Sequence, residues 1–362
     1  MKTLVISAVN FTEGGPLTVL RDCVASAVAG LHGWRILVLV HDAALIDTPG
    51  VEVMAFPQIK SSWLRRVMLE WSGFDRLSRS LDVDLWLSLH DITPRVQARR
   101  QAVYCHNPSP FFKMSLRETW LEPKLFLFTL FYRYLYRVNI ARNRYVVAQQ
   151  EWLRAAFEEN YPCQSVIVAH PSVRPCAQDI GTPTGRDKFV LLYPALPRVF
   201  KNFEVICEAV ARLSPDEAAR LDVRLTIDGS ENRYARALIR RYGHVAGLRF
   251  IGLQGREAMQ QHYAYSDAVL FPSRLETWGL PISEDKAYGK PLLVADLPYA
   301  RETVGDYECV AFIDPRDVGE WARAITQLVY GQLSFDGNRA RLPAAPFAAG
   351  WPALWQLLAK DL

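Results

Sequence analysis

The chain has 362 residues, of which 50% are hydrophobic, and it carries a formal net charge of +4. One hydrophobic core rarely serves so long a chain, so two domains are expected, and the apolar fraction excludes a disordered protein. The mildly basic balance suits an anionic small molecule or an acidic lipid surface. It lacks the clustered cations of a nucleic-acid-binding protein, so no nucleic-acid partner is expected.

Six cysteines are scattered along the chain with no Cys-x-x-Cys pair and no zinc-like histidine spacing. This pattern predicts reduced thiols in a cytosolic protein and no metal site. The apolar run at residues 1–7 is too short for a signal peptide and is typical of a first strand. We therefore expect a cytoplasmic protein.

Short apolar runs alternate with amphipathic stretches through the first 170 or so residues, which predicts a mainly parallel sheet with helices on both faces. A segment rich in Pro, Gly and polar residues then predicts a linker at 173–187. The predicted strands of this first domain, residues 1–172, are 4–9, 35–40, 51–56, 85–89, 102–104, 146–148 and 165–169.

The alternation restarts in a second predicted domain, residues 188–340, so the sequence predicts an α/β fold of two Rossmann-like, doubly wound domains. Ligands of such sheets bind beyond the carboxyl ends of the strands, and we expect the chemistry in a cleft between the two domains. The last segment, 341–362, has the apolar spacing of a helix. The predicted strands of the second domain are 189–193, 223–227, 248–251, 268–271, 292–295 and 310–313.

Candidate ligand-binding residues follow several strands of the first domain. Gly14 and Gly15 lie between the first strand and a helical pattern, where backbone can approach an anion closely. His106 ends the strand at 102–104, and His90 and Asp91, which follow the strand at 85–89, are weaker candidates for an acceptor contact. Taken alone, such a glycine turn or strand-end histidine is more often structural. Asp82 and Asp84 form an Asp-x-Asp pair that we interpret as structural, because it precedes its strand.

Residues 125–138 are crowded with aromatic side chains and include Arg133 and Arg137. The stretch is too short and too charged to span a bilayer, which needs ~20 apolar residues. Two interpretations stay open. It is either a basic aromatic helix lying on an anionic membrane surface or an internal helix that fills the first core.

Arg198 and Lys201 follow the first strand of the second domain and precede a helical pattern at 203–213. An arginine can donate forked hydrogen bonds to phosphate oxygens, and a lysine beside it acts as a point charge. Such a pair can bind a diphosphate, although elsewhere it would more often be a solvated surface feature.

Two carboxylates, Glu276 and Glu284, lie eight positions apart around a predicted helix start. Pro281 suits the first helical position, so we expect Glu276 in the loop and Glu284 in the first helical turn. A lone carboxylate here would only complement the helix dipole, but the adjoining backbone amides also offer a seat for a phosphate. The residues that supply these amides are Thr277, Trp278, Gly279 and Leu280.

This segment, closed by Gly289-Lys290-Pro291, resembles the Glu-x7-Glu signature of the retaining glycosyltransferases of family 4, which have the two-domain GT-B architecture. The resemblance implies that Glu276 faces the transferred sugar and that Glu284 binds the donor ribose. It also implies that the terminal segment, 341–362, crosses back onto the first domain; the alternative is an ordinary helix packed on the second domain. Trp278 and Asp285 depart from the family pattern, which commonly has Phe or Gly and a small Ala at these positions.

The remaining roles implied by the resemblance concern the donor. Arg198 and Lys201 match the family's diphosphate-binding pair, and His106 matches a histidine beside the transferred sugar. Gly15, with Gly14, corresponds to a glycine loop near the diphosphate or the acceptor, and Leu253 lies where backbone groups contact the nucleobase. The residues assigned to catalysis are Glu276, His106, Arg198 and Lys201.

The resemblance thus implies a metal-independent, retaining transferase without a cofactor. It would move a hexose or deoxyhexose from a GDP- or UDP-sugar to a free or lipid-linked oligosaccharide, as mannosyl- and rhamnosyltransferases of lipopolysaccharide O-antigen synthesis do. The aromatic stretch favours peripheral association with the cytoplasmic face of the inner membrane. Two alternatives remain, a nucleotide-sugar epimerase or hydrolase and a catalytically silent partner in a polysaccharide assembly complex.

Overall fold

The computed structural model describes residues 1–12, 14–59, 63–172 and 187–362. The predicted linker, 173–187, therefore lies outside the described residues except for Asp187. The chain divides into two units. Unit 1 comprises Met1–Phe111, Leu130–Ser172 and Pro343–Leu362, and unit 2 comprises Phe112–Thr129 and Val173–Leu342.

The strands in chain order are β1 (Lys2–Ser7), β2 (Trp34–Val40), β3 (Glu52–Ala55), β4 (Val83–Ser88), β5 (Ala98–Tyr104), β6 (Tyr145–Ala148), β7 (Val166–His170), β8 (Phe189–Tyr193), β9 (Leu221–Leu225), β10 (Leu248–Phe250), β11 (Ala268–Phe271), β12 (Leu292–Ala295), β13 (Val310–Ile313) and β14 (Phe347–Ala349).

The α-helices in chain order are α1 (Gly14–Gly30), α2 (Trp63–Met68), α3 (Phe74–Leu81), α4 (Leu116–Leu121), α5 (Pro123–Arg137), α6 (Glu151–Asn160), α7 (Phe203–Ala211), α8 (Pro215–Ala219), α9 (Arg233–Tyr242), α10 (Arg256–Tyr265), α11 (Leu280–Lys286), α12 (Pro298–Val304), α13 (Val318–Val329) and α14 (Trp351–Leu358).

Each unit is built on one parallel sheet. Unit 1 has the strand order β14-β7-β6-β5-β4-β1-β2-β3, and unit 2 has the order β10-β9-β8-β11-β12-β13. Side chains alternate across each sheet, so that in β1 Leu4 and Ile6 pack into one core and Val5 packs into another. The predicted α/β class with two Rossmann-like sheets is confirmed.

The C-terminal segment differs from its prediction as a single helix. Phe347–Ala349 forms β14, which pairs in parallel with β7, and only Trp351–Leu358 is helical. Trp355 and Leu358 of α14 lie in the same core as Leu4. The short strand escaped prediction because Phe347 also fits the helical spacing of the residues after it.

The segment Phe112–Thr129 also differs from its prediction, because it groups with unit 2 and not with the first domain. Helix α5 has two contrasting faces. Tyr132, Leu135 and Tyr136 are buried in the core of unit 1, whereas other apolar residues of the helix are exposed. The buried face fits the interpretation as an internal helix, and membrane contact by the exposed face stays a prediction.

Candidate functional site

The sheet order of unit 2 defines where a ligand should bind. Strands β8 and β11 are neighbours, and the chain continues from them toward opposite edges of the sheet, to β9 and β10 on one side and to β12 and β13 on the other. Ligands of open α/β sheets bind outside the carboxyl ends of the strands at such a switch point. The turn after β8 carries Arg198 and Lys201, and the loop after β11 carries Glu276.

The structure brings Lys201 and Glu276 together. The Lys201 ammonium forms an ion pair with Oε1 of Glu276, and the two side chains are only 16% and 12% exposed. The ammonium also lies 5.6 Å from the ring centroid of Phe271 and 5.8 Å from that of Phe200, which adds cation–π attraction. Two of the predicted catalytic residues are thus in direct contact.

The turn after β8 is held tightly in place. Arg198 precedes a 3₁₀ turn at Val199–Lys201, and Asn202 then adopts φ 59°, a left-handed conformation that asparagine tolerates. The Asn202 amide donates to the carbonyls of Pro272 (3.2 Å) and Pro315 (2.7 Å). The turn is therefore fixed against the start of the loop after β11.

The loop after β11 ends at Gly279, whose φ of 84° favours glycine. A Cβ at Gly279 would lie 3.3 Å from Phe271, so the position is tight as well as left-handed. Within the described residues, the N–H groups of Thr277, Gly279 and Leu280 have no hydrogen-bond acceptor. Trp278 is buried, and its indole N–H donates to Ser283 Oγ at 3.0 Å.

The prediction that Glu284 lies in the first turn of its helix is wrong. Helix α11 begins at Leu280, so Glu284 is its fifth residue and lies in the second turn. The reason is that Gly279 ends the loop two residues before Pro281, so the helix begins at Leu280 and Pro281 is its second residue. Glu284 is exposed, and its Oε2 accepts a hydrogen bond of 2.7 Å from the Tyr263 hydroxyl. Burial, and next to it the Glu284 charge, raise the pKa of Tyr263.

The predicted nucleobase contact lies after β10. Gly252 has φ 70°, and a Cβ there would come within 2.9 Å of Asp228 Oδ2, so the turn requires glycine. The next residue, Leu253, is 70% exposed. A side chain this open has few contacts to hold it, so the backbone of the turn is the better-defined feature.

In unit 1 the switch point lies between β1 and β4, and predicted residues follow both strands. Helix α1 begins at Gly14, directly after the loop that leaves β1. Within the described part of the chain, a Cβ on Gly15 would meet no atom within 4 Å, so the described residues do not require glycine there.

Asp91 organises the backbone that carries His106. The Asp91 carboxylate Oδ1 accepts hydrogen bonds from the N–H groups of His106 (2.5 Å) and Asn107 (3.0 Å) and from the Tyr136 hydroxyl (3.1 Å). All three contacts use one oxygen of a residue with φ 68°. Asp91 therefore has a clear structural role.

His106 stacks on Tyr104 with a centroid distance of 4.5 Å. Burial lowers the pKa of His106, and the opposing attraction of Asp91 is weaker, so the imidazole is neutral at pH 7. Its Nε2 is buried without a hydrogen-bond partner among the described residues. A neutral ring with one unsatisfied nitrogen can bind a hydroxyl group, which acts as donor or acceptor.

The predicted acceptor contact by His90 is not supported, because its side chain is fully buried. Its Nε2 lies 3.0 Å from Ser7 Oγ, and its Nδ1 lies 3.6 Å from Glu70 Oε1. His90 therefore has a structural role, with contacts to Ser7 and Glu70 inside unit 1. Asp84 is likewise structural, since it accepts from the Thr3 N–H at 2.8 Å and pairs with Arg99 at 3.1 Å.

Sequence reasoning missed three residues that contact the site of unit 2. Glu122 pairs with Arg198, and Glu118 pairs with Arg274, which precedes Glu276 by two positions. The one local signal was the Ser-x-x-Glu pattern of Ser115 and Glu118, which forms a helix capping box. Nothing local indicated which residues the two carboxylates would reach.

A cavity of about 490 Å³ in unit 1 lies away from these residues. It is at the amino ends of β5 and β6, at the opposite edge of the sheet from His106 and Asp91. Its lining includes the arginines 99, 100, 142 and 144.

Comparison with known proteins finds similarity to glycosyltransferases in sequence and in fold. Residues 178–341 match the family model of glycosyl transferases group 1. The D-inositol 3-phosphate glycosyltransferase of Streptosporangium roseum is 26% identical over 176 residues, which are 46% of this chain and 40% of that protein. The chain spans less than half the length of the curated relatives it matches.

Solved structures extend the likeness to both units. The apo form of the lipopolysaccharide outer core galactosyltransferase WaaB has a TM-score of 0.63 at 15% identity, covering 92% of each chain. HepE of Anabaena in complex with UDP-glucose has a TM-score of 0.57 at 17% identity, covering 91% of this chain and 90% of HepE. The fold is that of the GT-B glycosyltransferases, and the similarity in sequence to their group 1 is confined to residues 178–341.

Asp285 differs electrostatically from its neighbour Glu284. Its carboxyl group is fully buried in α11, and neither oxygen has a hydrogen-bond partner within the described residues. Burial raises the pKa of Asp285 well above its usual range, with Lys290 acting in the opposite direction. The carboxyl group is thus buried at a cost to the folded state at neutral pH.

We predict that Asp285→Asn flattens the pH dependence of the unfolding free energy. The raised pKa means that the folded state binds the proton more tightly, so the contribution of Asp285 is fully present below about pH 4 and is lost as the pH rises. Relative to wild type, the variant should gain stability between pH 4 and 7, by roughly 1–3 kcal/mol. Urea denaturation measures this, with exposed Asp296→Asn as the control. A difference that stays constant with pH would contradict the assignment.

Proposed function

We propose that the protein is a retaining glycosyltransferase that moves a hexose or deoxyhexose from a UDP- or GDP-sugar to a glycan acceptor. The observation that carries the proposal is the Lys201–Glu276 ion pair beside Arg198 at the switch point of unit 2. The match of residues 178–341 to the group 1 glycosyltransferases supports it, because that segment contains all three residues.

The proposed donor site combines fixed positive charge with hydroxyl-binding carboxylates. Arg198 and Lys201 would stabilise the negative charge that develops on the departing diphosphate. The open amides of the loop after β11 would add hydrogen bonds, and Glu276 and Glu284 would accept from sugar and ribose hydroxyls. These groups meet the electrostatic demand of the leaving group without a metal ion, so we propose a metal-independent reaction.

In the proposed step the acceptor oxygen bonds to the anomeric carbon as the bond from that carbon to the diphosphate oxygen breaks. The acceptor attacks from the same face that the diphosphate leaves, so the anomeric configuration is retained. The acceptor proton passes to the departing phosphate, which makes a protein nucleophile unnecessary. His106 would hold a sugar hydroxyl through its unpartnered Nε2. Because the ring is neutral, it would not repel the carbon as that carbon gains positive charge.

Two structural neighbours support the proposed donor and the proposed class of biosynthetic pathway. HepE was solved with UDP-glucose, and WaaB is a galactosyltransferase of the lipopolysaccharide outer core. We therefore propose a uridine or guanosine diphosphate donor and an oligosaccharide acceptor, lipid-linked or free, in cell-surface polysaccharide synthesis.

We predict that Lys201→Ala and Glu276→Gln each lower kcat/KM for sugar transfer by about 100-fold or more, since each removes a group that acts on the transition state. Transfer is measured with UDP- and GDP-sugars, with and without magnesium, and thermal melts check the fold because unpairing a buried charge destabilises a protein. Glu308→Ala is the matched control, since it breaks an exposed ion pair with Arg339.

Near-normal sugar transfer by both variants would contradict the roles proposed for Lys201 and Glu276. Free sugar or an epimerised nucleotide sugar, formed equally fast without an acceptor, would indicate a hydrolase or epimerase. Nucleotide binding without turnover on any acceptor would indicate a silent assembly partner.

We also propose that the region around α4 and α5 contacts an anionic membrane surface. Leu127 and Leu130 are 63% and 55% exposed, and Leu116 is also exposed. Lys124 and Arg133 lie on the same helix as the first two, and basic amphipathic helices of this kind bind anionic lipid surfaces. Among the described helices, none combines the length and apolar content needed to cross a bilayer.

We predict that the double variant Leu127→Ser/Leu130→Ser binds vesicles of phosphatidylglycerol at least ~10-fold more weakly than wild type, because two apolar side chains no longer enter the interface. Cosedimentation measures the binding. Leu342→Ser, at another exposed leucine, is the control. Equal vesicle binding by all three proteins would show that α5 does not reach the lipid.

A further inference from the structure

Two carboxylates from the segment 112–129 reach the turn that carries the proposed diphosphate-binding cations. Glu122 Oε1 accepts a hydrogen bond of 3.0 Å from Arg198 Nη1, and Glu122 Oε2 accepts one of 2.7 Å from the Val199 N–H. The Glu122 side chain is 5% exposed, whereas that of Arg198 is 51% exposed. The carboxylate is thus fixed within the protein, and the guanidinium projects from it toward solvent.

Glu118 fixes the other side of the same turn. Its Oε2 accepts from the Ser115 N–H at 2.6 Å, and its Oε1 pairs with Arg274. Arg274 in turn donates to the Val199 carbonyl at 2.9 Å and lies over the Phe112 ring at 5.2 Å. Burial raises the pKa of Glu118, but the hydrogen bonds from Arg274 and Ser115 outweigh it, so the pKa falls below its usual range.

Val199 therefore has both backbone polar groups held by this arrangement. Its N–H donates to Glu122, and its carbonyl accepts from Arg274, which Glu118 orients. Since Val199 is fully buried, losing either partner would leave a buried polar group unsatisfied. The carboxylate of Glu122 is consequently not free to leave when an anion approaches Arg198.

Resting on the proposed function, we propose that Glu122 is a positioning residue for the diphosphate of the donor. A guanidinium has five N–H donors, and among the described residues Arg198 uses only one side-chain contact, that to Glu122. The remaining donors are held in one orientation toward solvent before the ligand arrives. Preorganisation of this kind increases affinity because less side-chain freedom is lost on binding.

The test is a double-mutant cycle on nucleotide binding. Wild type, Glu122→Ala, Arg198→Ala and the double variant are titrated calorimetrically with UDP and GDP, and with UMP and GMP as probes that lack the second phosphate. Glu122→Ala should weaken binding of the diphosphate by ~10-fold, the scale of one charge-assisted hydrogen bond, and leave monophosphate binding unchanged. In the Arg198→Ala background the same substitution should add no further loss.

Glu122→Gln is the second variant. Its amide oxygen can still accept from Val199 or Arg198 but carries no charge, so its diphosphate affinity should fall between those of wild type and Glu122→Ala. If Glu122→Ala does not fold, the diphosphate affinity of Glu122→Gln tests the inference in its place. Glu308→Ala, which breaks an exposed ion pair elsewhere in unit 2, is the matched control and should bind as wild type does.

Three results would overturn the inference: unchanged diphosphate affinity in the Glu122 variants, an equal loss for monophosphates, or a loss of the same size in the Arg198→Ala background. A different result would overturn the proposed function itself. If wild type binds neither diphosphate, or if Arg198→Ala binds as tightly as wild type, then Arg198 does not contact a donor.

Discussion

The partly buried ion pair between Lys201 and Glu276 is the interaction on which the site of unit 2 depends. It joins the turn after β8 to the loop after β11. These two strands are neighbours from which the chain continues toward opposite edges of the sheet, and ligands of such sheets bind beyond the strand ends at this point. Removing one partner from a buried pair leaves an uncompensated charge, which is strongly destabilising. The pair therefore keeps a cation and a carboxylate side by side between the two strand ends.

The surrounding contacts make the arrangement rigid before any ligand is present. Asn202 ties the turn to the carbonyls of Pro272 and Pro315, and Glu122 holds Arg198. Each of these contacts uses a buried polar group that is costly to leave unpaired. Catalysis by fixed charges requires such preorganisation, because groups that must reorient during the reaction stabilise the transition state less.

The sequence predicted those features that depend on local pattern. The strands Phe189–Tyr193, Ala268–Phe271, Leu292–Ala295 and Val310–Ile313 have the predicted bounds, because strands buried on both faces read as continuous apolar runs. The placement of Arg198 and Lys201 after one strand and of Glu276 after another followed from the same pattern, whereas the pairing of those two strands in the sheet did not. The grouping of the segment 112–129 with unit 2 did not, since Glu122 and Arg198 are 76 residues apart and no periodicity encodes their contact. The burial of His90 was hidden for the same reason.

A crystal structure of the protein with a bound UDP- or GDP-sugar would locate the donor site. We expect diphosphate oxygens within ~3 Å of the Arg198 and Lys201 nitrogens, the distance of a charge-assisted hydrogen bond, with the sugar against Glu276. If the nucleotide sugar instead bound at the arginine-lined cavity of unit 1, with no contact to Arg198 or Lys201, the proposed donor site would be wrong.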